Sequence, residues 1–253
     1  MNLPPVPLPL APGAHLSALR EQAAVFEPVL RGADPGTPVP TCGDWTLSDL
    51  GVHLGQASRF AAAVVRTGDL PREQFAPAAG EPVADWYAEG AAILLAALNE
   101  ADPAAPTWAF GIQDATAGLW FRRAALDSTV HLVDARLATG AEVHVDPLIA
   151  ADGVDEVFSL MVPRVWNGSA HQPLPAPVAL RTTDTAHGWL IQPADIPRAR
   201  PLDTAPAATA AATVEAPAAD LLLTLWKRRP THPQWITGDP TAANALLTAP
   251  LTL

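Results

Sequence analysis

Arg-Arg-Ala-Ala-Leu-Asp-Ser-Thr-Val-His-Leu-Val-Asp-Ala, residues 122–135, is the stretch on which the fold turns. Asp127 and His131 stand four positions apart, so on a helix both project from one face with about 6 Å between them. Arg123 and Asp134 share that face. Gly140 supplies a stop, and the spacing predicts a helix over Ala115–Thr139. Upstream, Thr46 followed by Asp49 is a capping-box-like start. Leu47, Leu50, Leu54, Ala57, Ala61 and Val64 then form one stripe, which predicts a helix running to Arg66. His53 lies about 60° from the centre of that stripe at 100° per residue, which aims it at the interior. Leu16, Leu19, Ala23, Phe26 and Leu30 predict a further helix over Ala14–Arg31, and Trp86, Gly90, Ile93, Leu94 and Ala97 predict one over Pro82–Asn99. Four amphipathic helices joined by loops imply a four-helix bundle.

Beyond Asp146 the pattern changes. A helical segment at Asp152–Val165 precedes alternating runs beginning at Val178 and Gly188, which read as strands, with Thr213-Val-Glu as a further strand. A Pro/Ala-rich stretch, Pro193 to Ala212, reads as low complexity, and helices are expected at Ala218–Trp226 and Thr241–Leu247. The predicted organisation is α+β in two domains: residues 1–148 as a bundle and residues 149–253 as a small α+β domain.

The chain has 253 residues, of which 49% are hydrophobic, enough to bury a core rather than remain disordered. A formal net charge of −11 argues against nucleic acid or an anionic membrane surface as a partner. The longest apolar run, Ala91–Leu98, is far short of the roughly 18–20 residues that span a bilayer. The Pro-broken, uncharged N-terminus has no secretory pattern, so a cytoplasmic location is expected. Cys42 is the only cysteine, which excludes an intramolecular disulfide or a multi-cysteine metal cluster. Fourteen arginines against the single Lys227, with 51 alanines, suggest GC-rich coding.

His53, Asp127 and His131 would meet in a bundle core as the two-imidazole, one-carboxylate set of catalytic metal sites, which leaves coordination positions open. The plainer reading is an ordinary helix-stabilising Asp–His pair and a satisfied core histidine. Cys42 reads as a small packing residue and Trp45 as core. His15, His144, His171, His187 and His232 lack metal-like spacing and read as loop or surface. Arg228 and Arg229 could clamp a substrate carboxylate or complement a helix dipole.

Two segments carry a resemblance: Pro-Thr-Cys-Gly-Asp-Trp-Thr-Leu-Ser-Asp-Leu-Gly-Val-His-Leu-Gly at 40–55 and the Arg122–Ala135 stretch, with Gly140 after it. They resemble the signature segments of the mycothiol-dependent maleylpyruvate isomerase family. Ala219–Pro230 and Thr237-Gly-Asp239 are similar to the close of that family's second domain. The resemblance implies a DinB-like bundle followed by a small sterol-carrier-like α+β domain. It also implies a divalent metal, zinc first among candidates, on His53, Asp127 and His131; as the arginine that could clamp a substrate carboxylate, Arg228 is the expected catalytic residue. Asp127 departs from the pattern, since the family usually has glutamate there, one methylene or about 1.3 Å longer. The implied function is a metal-dependent enzyme using mycothiol, the low-molecular-weight thiol of high-GC actinobacteria, as a cis/trans isomerase or S-transferase on a small electrophile. The alternatives are a metal-poor binding module and a metal-dependent hydrolase.

Overall fold

The computed structural model describes residues 7–166, 173–202 and 210–252. It divides into two compact units, Leu10–His144 and Val145–Leu253 with Met1–Pro9. The first unit consists of α1 (Pro12–Gly32), α2 (Leu47–Thr67), α3 (Val83–Glu100) and α4 (Gly118–Thr139). Thr46 and Asp49 form the complete capping box: the Thr46 hydroxyl accepts the Asp49 N–H, and the Asp49 carboxylate accepts the Thr46 N–H. Left-handed Gly68 and Gly140 end α2 and α4, where a side chain would be strained. α4 begins three residues later than its sequence suggests, because Thr116 bridges Pro106 and the Ala115 carbonyl accepts the Thr107 N–H.

Two apolar clusters fix the helix directions. One gathers Leu16 and Leu19 from the start of α1 with Ala62 and Val64 late in α2, Leu98 late in α3 and Trp120 and Phe121 early in α4. The other gathers Phe26, Leu30, Leu50, Leu54, Tyr87 and Leu132 from the opposite halves. α1 and α4 therefore run one way, and α2 and α3 the other. Residues 68–82, which reach up to about 50 Å when extended, return the chain along helices about 30 Å long. The parallel α2–α3 seam closes tightly at glycines: a Cβ on Gly90 would meet Arg59 Nη1 at 2.5 Å and the Gly55 carbonyl oxygen at 2.8 Å. Arg59 is buried in this seam, stacked over Trp86 at 3.5 Å and donating to the carbonyls of Gly55 and Trp86.

In the second unit α5 (Pro147–Glu156) starts earlier than its sequence suggests. Pro147 occupies the first turn, and the Asp146 carboxylate accepts the N–H groups of Leu148 and Ile149. A π-helical turn at Val157–Met161 leads into α6 (Val162–Trp166). The sheet comprises β1 (Val178–Thr182), β2 (Gly188–Gln192), β3 (Arg198–Pro201), β4 (Ala212–Ala216) and β5 (Ile236–Gly238), in the order β3-β2-β1-β4-β5. β1 and β4 pair in parallel and the other pairs are antiparallel. β3 corrects the low-complexity reading of Pro193–Ala212: four mostly exposed residues form an edge strand on β2. Its hydrogen bonds come from its neighbour rather than from any apolar alternation of its own. α7 (Ala218–Leu225) buries Leu221, Leu222, Leu223 and Leu225, and Gly153 of α5 lies against Leu222. α8 (Pro240–Thr248), capped by Asp239, completes the unit. Among the described residues no helix is long and apolar enough to cross a membrane.

Candidate metal centre

The capping box fixes where α2 begins and hence the face on which His53 sits, two turns in. Across from it α4 presents Asp127 and His131, one turn apart. His53 Nε2 lies 3.9 Å from Asp127 Oδ2, and His131 Nε2 lies 4.0 Å from Asp127 Oδ1. All three donor atoms fall within 4.8 Å of one another. The imidazoles meet edge to face with centroids 5.0 Å apart. Trp45, on the loop before α2, packs against both: 5.1 Å from His53, and 6.4 Å from His131 in a stacked arrangement. Two imidazole nitrogens and a carboxylate oxygen are a donor set that could hold a divalent ion of the zinc type.

Behind His131 lies a second layer. Its Nδ1 is 2.9 Å from Oδ2 of Asp134, which has no exposed surface. The same carboxylate accepts Thr41 Oγ1 at 2.5 Å and Cys42 Sγ at 3.3 Å. Cys42 also packs against the second apolar cluster, as does Trp45. Cys42, His131 and Asp134 likewise bring their donor atoms within 4.8 Å of one another. One turn before Asp127, Arg123 is buried and ion-paired to its Oδ1.

These neighbours set the charges. Burial pushes the Asp127 carboxyl upward, but the Arg123 guanidinium, then His131 and His53, outweigh it and hold its pKa at about 2. Burial pushes His131 down, yet its bond to Asp134, the bond to Cys42 and the charges of Asp127 and Asp134 raise it to about 9. His53 is held below its ordinary value, chiefly by burial; Asp127 opposes this, while His131 and Arg123 add to it.

Arg228 belongs to the other unit, just past α7. It donates to the Trp226 carbonyl and lies over the Trp226 ring, while Arg229 is ion-paired to Asp220. His15, expected in a loop or on the surface, is instead buried in α1 with 1% exposure. It falls on the apolar face beside Leu16 and Leu19. His187 contacts Thr185 and Trp189, and His232 packs edge-on to Trp235. His171 lies outside the described residues.

Residues 16–136 match the mycothiol maleylpyruvate isomerase N-terminal domain, and residues 149–245 match the C-terminal domain of the same family. The chain belongs to the mycothiol maleylpyruvate isomerase family. Two solved structures share its fold. A histidine-to-alanine mutant of the mycothiol-dependent maleylpyruvate isomerase is 13% identical with a TM-score of 0.58. The unmutated enzyme is 14% identical with a TM-score of 0.55. Each alignment covers 85% of this chain and 88% of the other. No curated protein matches the chain. Within this isomerase family's architecture, His53, Asp127 and His131 all fall in the N-terminal domain and Arg228 in the C-terminal one. Sequence reasoning placed Asp134 on the face of Asp127 and His131 without giving it a role. Its three-residue spacing from His131 was the available signal. Thr41, 93 residues away, left none.

Proposed function

We propose that this chain is a metal-dependent, mycothiol-using enzyme, a cis/trans isomerase or S-transferase acting on a small electrophile. The observation that carries the reading is the convergence of His53 Nε2, His131 Nε2 and the Asp127 carboxylate within 4.8 Å. These three residues would hold the ion, and their chemistry fits it: two neutral-capable imidazoles and a carboxylate that stays ionised. A bound divalent ion supplies a Lewis-acid position that lowers the pKa of a thiol at neutral pH. The protein's own groups do the rest. Arg123 orients the Asp127 carboxylate and limits the negative charge there. Trp45 packs against both imidazoles and holds their rings in place. Arg228 is the proposed substrate-carboxylate residue on its chemistry alone, since it is engaged by Trp226 much as Arg229 is by Asp220. With such a substrate, thiol addition converts an electron-poor double bond to a single bond, rotation follows, and elimination returns the thiol. Addition without elimination gives an S-conjugate.

The Arg123–Asp127 pair favours one other reading, a metal-poor module that binds a small molecule without catalysis. Calorimetric titration of mycothiol into zinc-loaded and chelator-stripped protein separates the two. Binding confined to the loaded form supports the enzyme. Equal binding to both forms removes the thiol-activation reading, and failure to take up zinc at all favours the metal-poor module.

A further inference from the structure

We propose that Asp134 is a positioning residue for the metal centre, and that the loop Thr41–Trp45 sets it in place. This rests on the reading of His53, Asp127 and His131 as the ligands. A carboxylate can only accept hydrogen bonds, so its contact with His131 Nδ1 at 2.9 Å requires the proton on Nδ1. When the ring gives up its other proton to an ion, the lone pair is on Nε2, the nitrogen that faces His53 and Asp127. Without Asp134 the ring could carry its proton on Nε2 or turn about χ2, and either change withdraws the donor atom. Such outer partners fix both tautomer and orientation of a ligating histidine.

Asp134 is itself held from outside α4. Thr41 takes its Oδ1, while Cys42 shares its Oδ2 with His131. Trp45, four residues after Thr41, stacks on the His131 ring whose other edge Asp134 grips. One short loop therefore acts on His131 twice, through the carboxylate and through the ring face. Cys42 thereby becomes a donor to the supporting carboxylate rather than a nucleophile. The rival arrangement, an ion held by Cys42, His131 and Asp134, would have to break this set. Separations of 2.9 Å and 3.3 Å are those of hydrogen bonds, and the second carboxylate oxygen is already taken by Thr41.

The test measures zinc affinity by competition with a chromophoric chelator in the full chain, together with the His131 Nδ1–H resonance of nitrogen-labelled, zinc-loaded protein. Wild type should show that proton downfield and slow to exchange. Asp134→Leu should lose the resonance and weaken zinc binding by about 10- to 100-fold, with Asp134→Asn intermediate because an amide oxygen still accepts. Thr41→Val, a milder change at a half-buried site, should weaken binding by a smaller factor. It decides the matter if the Asp134 variants do not fold. Unchanged affinity and an unchanged Nδ1–H signal in Asp134→Asn and Thr41→Val, with zinc lost in His53→Ala, overturn the positioning role and leave the ligand set standing. Loss of zinc in Cys42→Ala and Asp134→Asn with retention in His53→Ala and Asp127→Asn overturns both, placing the ion on the far side of His131. A wild-type chain that takes no zinc refutes the metal reading itself.

Discussion

Asp127→Glu tests the centre most directly, because the structure fixes how far the carboxylate must travel. A tetrahedral ion with ligands at about 2.0–2.1 Å needs donor atoms roughly 3.3–3.4 Å apart. Asp127 Oδ2 lies 3.9 Å from His53 Nε2 and its Oδ1 lies 4.0 Å from His131 Nε2, so each of these separations exceeds the tetrahedral one by a gap of about 0.6 Å. Swinging the aspartate by about 30° off its rotamer to close it costs on the order of 0.5–1.5 kcal/mol. The added methylene of glutamate contributes about 1.3 Å of reach, more than the gap, and removes that cost. Asp127→Glu should therefore bind zinc about 2- to 10-fold more tightly, taking 1.4 kcal/mol per decade. Asp127→Asn, which substitutes a neutral amide, should bind it more weakly than wild type. Chelator competition at constant pH on the stripped proteins measures both, with thermal melts as a check on folding. If Asn binds as tightly as Asp, or Glu binds tenfold worse, Asp127 is not a ligand and serves only as the ion-pair partner of Arg123.

Zinc affinity should also rise with pH. His131 is raised to about 9, so below that pH the ion displaces a proton from it, and Kd should fall about tenfold per pH unit from 7 towards 9 and then level off. A flat profile over that range, followed by the same competition assay, would show that His131 does not yield its proton to the ion. In the α2–α3 seam, Gly90→Ala places a Cβ 2.5 Å from Arg59 and 2.8 Å from the Gly55 carbonyl oxygen, and should destabilise the chain by about 1–3 kcal/mol. An unchanged denaturation midpoint would mean that the two helices are not pressed together there.

Much of the bundle was legible from its apolar stripes and from the punctuation that α2 and α4 carry. The Thr46–Asp49 box opens α2, Gly140 closes α4, and Leu50 and Leu54 fall on the stripe that the second cluster buries. The joining of His53 to Asp127 and His131 followed from the same periodicity. What lay beyond reading was whatever depends on a distant neighbour. β3 has no alternation of its own and exists because β2 offers a ladder. The first residues of the expected fourth helix are taken by a bridge to Pro106. The buried face of α4 carries Arg123, Ser128, Thr129, His131 and Asp134, so apolar counting understates its burial. Asp134 had a face but no role until Thr41 and Cys42 arrived beside it.

That arrival has a kinetic meaning. The Thr41–Asp134 contact closes 93 residues of chain, and a fragment ending before α4 lacks the carboxylate that Thr41 and Cys42 bond. During synthesis, His53, Cys42 and Trp45 emerge long before the helix that completes their surroundings. The centre is thus a late product of folding, assembled after the local turns of α1 and α2. An ion that recognises only the finished centre would slow unfolding while leaving the folding rate almost untouched.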